Sequence, residues 1–210
     1  GKGTFSNMLK ERCGYVHIST GDLLRNIVKT NSKLDIEKFP IAINSKIKKS
    51  IVVKSAEEVD ERFHSRFSVK SKKYRYVINN SKYGTAIYRE FEFMVPQKLN
   101  VDNMKKAAKY FEGEHDFKGF KASGTSSKSS VRTIYKAEVI EDGERINIEL
   151  TGNGFLYNMV RTMTGELLDL ALGRRTEESL FKAYETGQRE LLGKTMPAKG
   201  LTMMQVEYDE

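Results

Sequence analysis

Apolar residues recur along this chain in two rhythms, and the rhythm changes part-way. Residues 4–12 read as a helix, residues 15–18 as a short strand, and Thr20-Gly21-Asp22 as the opening of a second helix that reaches about residue 28. Residues 29–35 are polar and punctuate the chain. Phe39, Ile43 and Ile47, four apart, predict a helix from residue 36 to about 47, and Ile51-Val52-Val53 a short strand. Beyond Glu61 a period of two takes over. Tyr74, Tyr76 and Ile78 share one face of a strand over residues 73–79, and residues 87–94 read as another. Residues 101–111 predict an amphipathic helix. Residues 131–140 and 145–151 pair as a hairpin around Asp142-Gly143, with Ile146, Ile148 and Leu150 on one side. Leu156, Met159, Val160, Met163, Leu167, Leu170 and Ala171 form the stripe of a helix over residues 156–172. A shorter helix follows over residues 176–188, with Thr176 as its cap and Glu178 in its first turn, and residues 203–208 return as a strand. Residues 122–130, rich in serine, read as a mobile loop. Hairpins mixed with helices, without regular strand–helix alternation, predict an α+β fold: an antiparallel sheet with flanking helices.

Length and composition narrow the function classes. A chain of 210 residues holds one domain or two small ones, and 39% hydrophobic residues supply a core. Three prolines and 16 glycines argue against extended disorder. Cys13 is alone, which excludes an internal disulfide and a Cys-x-x-Cys cluster, and His17, His64 and His115 are scattered, so no metal site is expected. No apolar run approaches the roughly 20 residues needed to span a bilayer, and no signal peptide is visible; the expectation is a cytoplasmic protein without a membrane partner. Gly1 in place of Met implies a truncated or processed start.

Charge changes the picture more. Lysine and arginine number 36 against 28 acidic residues, a net +8, which suits a polyanionic partner. Residues 64–76 hold Arg66, Lys70, Lys72, Lys73 and Arg75 without an acid, and residues 117–136 hold Lys118, Lys121, Lys128, Arg132 and Lys136, again without one. Cations interleaved with aromatics fit RNA, whose backbone takes the charge and whose lifted bases stack on rings. By pattern alone, solvated strand edges read the same way.

Two segments then read as different families. The head, Gly1-Lys2-Gly3-Thr4, is the tail of a phosphate-binding loop, and with YVHISTGDLLR at residues 15–25 it resembles adenylate kinase over about residues 1–30. The resemblance implies that Lys2 and Thr4 face ATP phosphates and that Thr20, Gly21 and Arg25 face AMP. It stops there: the lid, the core strands and the closing arginines have no counterpart, so the head reads as an inactive remnant.

The rest carries ERFHSRFSVKSKKYRYVINN, EGEHDFKGFKASG, SVRTIYKAEV, NGFLYNMVRTMTGELL and AKGLTMMQVEY, in that order. From about Lys33 to the C-terminus it resembles the tRNA pseudouridine synthase A family. That family isomerises uridine to pseudouridine in the anticodon stem-loop of tRNA with no cofactor, and its members pair as homodimers. The resemblance implies that Tyr74 packs on the target base and that Arg161 pairs with a nucleophilic Asp. Phe63, His64 and Arg66 match the family's F-H-x-R as support and backbone contact, while Phe155 and Met159 read as core. The family's Gly-Arg-Thr-Asp stretch does not occur in residues 1–210, and Asp22 fits the kinase-like text instead. The expected organisation is a kinase-like fragment (1–30), a remnant of the synthase first lobe (31–54) and the synthase C-terminal lobe (55–210). Three readings follow, in order: an RNA isomerase, a catalytically incomplete tRNA-binding fragment, and a nucleotide kinase.

Overall fold

The computed structural model describes residues 36–122 and 129–208. The elements expected before residue 36, the kinase-like residues Lys2, Thr4, Thr20, Gly21 and Arg25, and Lys128 with most of the serine-rich loop lie outside the described residues. The chain divides into two compact units between Phe63 and His64.

In the first unit a single 3-10 turn, Ile36–Lys38, leads into helix α1, Phe39–Asn44, with Pro40 in its first turn. The helix is shorter than its apolar spacing predicts. Asn44 turns its side chain to the backbone of Val53, donating to the carbonyl and accepting from the N–H, both at 2.8 Å. Those bonds replace a sheet ladder. Residues 51–53 therefore do not form the expected strand, and Ile51 and Val52 stand exposed.

The second unit is built on a six-stranded sheet. Strand β1, Val69–Asn79, is its centre. On one edge β1 pairs antiparallel with β5, Arg145–Gly152, which pairs with β4, Val131–Asp142, and β4 with β3, Gly113–Asp116. On the other edge β1 meets β6, Leu201–Tyr208, antiparallel, and the two-residue β2, Phe93–Met94, in parallel. Tyr74, Tyr76 and Ile78 stand opposite Leu150, Ile148 and Ile146, so the period of two in both strands lands on one face. Tyr76, Ile78, Ile148 and Leu150 are fully buried there.

Helices α2 (Val101–Ala108), α3 (Met159–Ala171) and α4 (Glu177–Thr186) cover that core. Every residue of the expected stripe from Leu156 to Ala171 is buried. Asn100 caps α2 by accepting from Asn103 N–H at 3.1 Å, and a 3-10 turn, Lys109–Phe111, continues it. Thr176 occupies the N-cap of α4, but its side chain makes no capping bond.

Two departures have local causes. Residues 87–92 are turns rather than strand: Ile87, Tyr88 and Phe91 face solvent, while Glu92 is buried and binds Asn79 Nδ2 at 2.6 Å and Arg145 Nε at 2.9 Å. The hairpin turn is Gly143-Glu144, one residue later than predicted, because Asp142 pairs with Arg145. Gly143 takes φ 59°, which a two-residue turn with glycine first requires. Among the described residues no helix is long and apolar enough to cross a membrane.

Candidate functional site

One short turn, residues 153–158 between β5 and α3, is in contact with three of the residues singled out by sequence, Tyr74, Arg132 and Arg161. Strand β1 presents Tyr74 half-buried on the core face, and its ring meets Phe155 edge-on at 5.2 Å and 81°. Burial pushes the Tyr74 phenol above its usual range. Phe155 packs against the core as expected, though partly exposed, beside Tyr74. Met159 is fully buried, as expected.

The turn ends at Asn158, which holds φ 63°, a left-handed conformation that asparagine tolerates better than most residues. Its Oδ1 accepts from Arg161 Nη1 at 2.8 Å. Arg161 Nε donates to the Met196 carbonyl, and Met196 N–H returns a bond to the Arg161 carbonyl at 3.2 Å. The next residue, Pro197, accepts from Tyr76 Oη at 2.8 Å. Burial pushes the Tyr76 phenol up while the Arg161 charge pulls it down, so the two sense each other across this link. Among the described residues no carboxylate pairs with Arg161, and its Nη2 makes no hydrogen bond to them.

One of the predicted basic residues lies against the same turn, and the segment of another is bonded to it. A Cβ on Gly154 would lie 3.6 Å from Arg132 Nε, so the arginine lies along that glycine, with Nη1 bonded to the Ser129 and Val131 carbonyls. Ala122, next to half-exposed Lys121, donates to the Tyr157 carbonyl at 3.0 Å. Lys118 lies further along, its stem over Gly187 at the C-cap of α4. Lys72 is half-buried two residues before Tyr74 on the same side of β1, and Lys70 is exposed.

Alternation separates the others. Lys73 and Arg75 point to the opposite face, where both bind the buried Glu149: Lys73 Nζ at 2.5 Å and Arg75 Nε at 2.7 Å. Burial alone would raise the Glu149 carboxyl, but the bonds from Lys73 and Arg75 outweigh it and hold the group below the usual carboxylate range. Lys136 ties Glu138, the cross-strand neighbour of Glu149, at 2.7 Å. Arg66 lies exposed over the Phe67 ring at 5.5 Å, and its N–H binds His64 Nδ1 at 3.1 Å. The sequence reading missed Asn158, Met196 and Glu149. Their partners lie on other elements or depend on one unusual backbone angle, which spacing does not show.

Among the described residues no three His, Cys, Asp or Glu side chains gather as metal ligands. An edge-on aromatic pair can take a planar base, and a guanidinium with one nitrogen left without a hydrogen bond can take an anionic group.

Comparison with known proteins gives the family. A family model described as tRNA pseudouridine synthase matches residues 107–209. A second model, described as an AAA domain, matches residues 1–106, consistent with the kinase-like head; residues 69–79 and 93–94 of that range are nonetheless strands of the sheet completed by residues 113–208. The chain is similar to tRNA pseudouridine synthase A of Ruminiclostridium cellulolyticum, 46% identical over 180 residues, covering 85% of this chain and 74% of that protein. It is also similar to the proteins of that name from Thermoanaerobacter sp. (41% over 180 residues, 86% and 74%) and Acetivibrio thermocellus (39% over 179 residues, 85% and 73%). The mixed α+β sheet fits this family, and relatives 46%, 41% and 39% identical over 85–86% of the chain place it among the tRNA pseudouridine synthases.

Proposed function

We propose that this chain binds tRNA and holds a lifted uridine at the Tyr74–Phe155 wall beside Arg161, the binding half of a uridine-to-pseudouridine isomerase. The carrying observation is the turn at residues 153–158, which joins Phe155 to Tyr74, Asn158 to Arg161, Gly154 to Arg132 and Tyr157 to the segment of Lys121. The isomerisation breaks the N1–C1′ bond and forms C5–C1′. C5 loses a proton and N1 gains one, so no cofactor is consumed. Tyr74 packs on the uracil face, and the free Nη2 edge of Arg161 takes the carboxylate of the nucleophilic Asp. No Gly-Arg-Thr-Asp stretch occurs in residues 1–210, so the reading assigns these residues substrate binding and orientation and assigns the attack to a carboxylate supplied from elsewhere. Under this reading the active assembly pairs two copies, which sedimentation tests.

The test is tRNA binding across a salt series, together with chemical mapping of pseudouridine. Each phosphate contact contributes about −0.9 to the slope of log affinity against log salt on duplex segments. A steep slope that shrinks on joint replacement of Lys72, Arg132 and Lys121 with Ala supports the reading. A salt-independent constant overturns it, and turnover by residues 1–210 alone shows that the carboxylate lies within them, with Asp22 and Asp35 the first to mutate.

A further inference from the structure

Glu166 stands mid-way along α3, wholly buried. Its Oε2 accepts from Gly193 N–H at 2.6 Å. Its Oε1 is the one buried side-chain oxygen or nitrogen among the described residues without a hydrogen bond. A buried oxygen left unpaired costs stability, so an aliphatic side chain here would be more stable unless the carboxyl has a task.

The task is visible in what Gly193 begins. Residues 193–197 run along α3 as a strap in backbone-to-backbone contact. A Cβ on Gly193 would lie 2.4 Å from the Gly165 carbonyl oxygen, and one on Gly165 would lie 1.8 Å from that of Lys194. Contacts then descend the helix as the strap ascends: Glu166 with Gly193, Thr162 Oγ1 with Thr195 Oγ1 at 3.2 Å, and Arg161 with Met196 in both directions. Arg189 fastens the strap's outer side through the Leu192 carbonyl and Thr195 Oγ1. Among the described residues the Glu166 bond is the one hydrogen bond that ties the Gly193 end to the helix.

We propose that Glu166 is a positioning residue: by holding Gly193 N–H it sets the register of the strap on α3, and thereby places the Met196 carbonyl that orients the Arg161 guanidinium. Its functional meaning rests on the reading of Arg161 above, but the contact itself is read without it. Glutamine keeps an acceptor for Gly193. Leucine fills similar space and offers none.

The experiment is nitrogen-15 NMR of the whole chain, following solvent exchange of the Gly193 and Met196 amides and of Arg161 Nε–H. In Glu166→Leu all three should exchange about tenfold faster or more, the equivalent of one lost hydrogen bond, while the Ile148 amide in the β-ladder stays unchanged. Glu166→Gln should keep all three within about twofold of the parent. Protection of Met196 and Arg161 surviving in Glu166→Leu, or Glu166→Gln exchanging like Glu166→Leu, overturns the proposal. Should Glu166→Leu fail to fold, the unaltered chain still decides. Gly193, Met196 and Arg161 Nε–H should open with one common free energy, and independent opening of Gly193 refutes the strap. Neither readout depends on tRNA or turnover, so loss of the Arg161 role would show only in the binding and mapping assays.

Discussion

Arg161 and Met196 hold each other twice: the side-chain Nε of the arginine donates to the methionine carbonyl, and the methionine N–H donates to the arginine carbonyl at 3.2 Å. With Nη1 committed to Asn158, two bonds fix the plane of the guanidinium, and Nη2 makes no hydrogen bond to the described residues.

Lysine cannot reproduce that fork. In an assembly supplied with a Gly-Arg-Thr-Asp lobe, Arg161→Lys should lower pseudouridine formation about a hundredfold or more, with tRNA affinity nearly unchanged, because one compact ammonium cannot bind Met196, Asn158 and a carboxylate together. Asn158→Ala, which removes the Nη1 partner and puts at φ 63° a residue that lacks asparagine's tolerance of the left-handed region, should cost about 1–2 kcal/mol in denaturant melts and weaken turnover in the same direction.

Tyr74 tests the base wall. Tyr74→Ala removes the edge-on partner of Phe155 and should weaken tRNA binding by about 1–3 kcal/mol, the worth of one stacked base. Tyr74→Phe keeps the ring and should bind like the parent. Equal loss in both variants would place the contribution in the hydroxyl instead.

The glycines under the strap have a sharper signature. Gly165→Ala and Gly193→Ala each force a Cβ into backbone atoms and should lose about 3 kcal/mol or more of stability. Gly173→Ala has open space around it and only a φ of 65° to overcome, so about 1 kcal/mol is expected. Thermal or urea melts of the three variants rank them.

Two buried glutamates give opposite pH responses. Burial pushes the Glu166 carboxyl above the ordinary value of 4.5, against the pull of Gly193 N–H and the Arg175 charge. Its stabilising neutral form is complete below 4.5 and is lost as pH rises through the raised value, so Glu166→Gln should flatten that alkaline-side decline. Glu149 is held below 4.5 by Lys73 and Arg75 against its burial. Its contribution is complete above 4.5 and is lost as pH falls through the lowered value, so Glu149→Gln should remove that acid-side loss while lowering stability at neutral pH. Urea midpoints across pH 3–9 check both signs.

Much of the sheet and of α3 was legible in the sequence because one-dimensional periods map directly onto faces. A period of two put Tyr74, Tyr76 and Ile78 opposite Leu150, Ile148 and Ile146, and a period of 3.6 buried the stripe from Leu156 to Ala171. The same alternation, applied to the basic run, separates Lys72 from Lys73 and Arg75, but the sequence could not show that Glu149, 74 residues beyond Arg75, absorbs those two cations. Nor could it show that Ile51 and Val52 go without a partner strand, or that residues 87–92 turn outward around a buried Glu92. Tyr74 and Arg161 were named from motif resemblance, while the partners that orient them were not. Phe155 and Asn158 act through a turn whose left-handed residue is not glycine, and Met196 reaches Arg161 from 35 residues away. Local periodicity is set by bond geometry within a segment and is written in neighbouring residues. Hydrogen bonds between distant segments exist only once packing has brought a donor and an acceptor within 3 Å or so, and that meeting is a property of the folded chain.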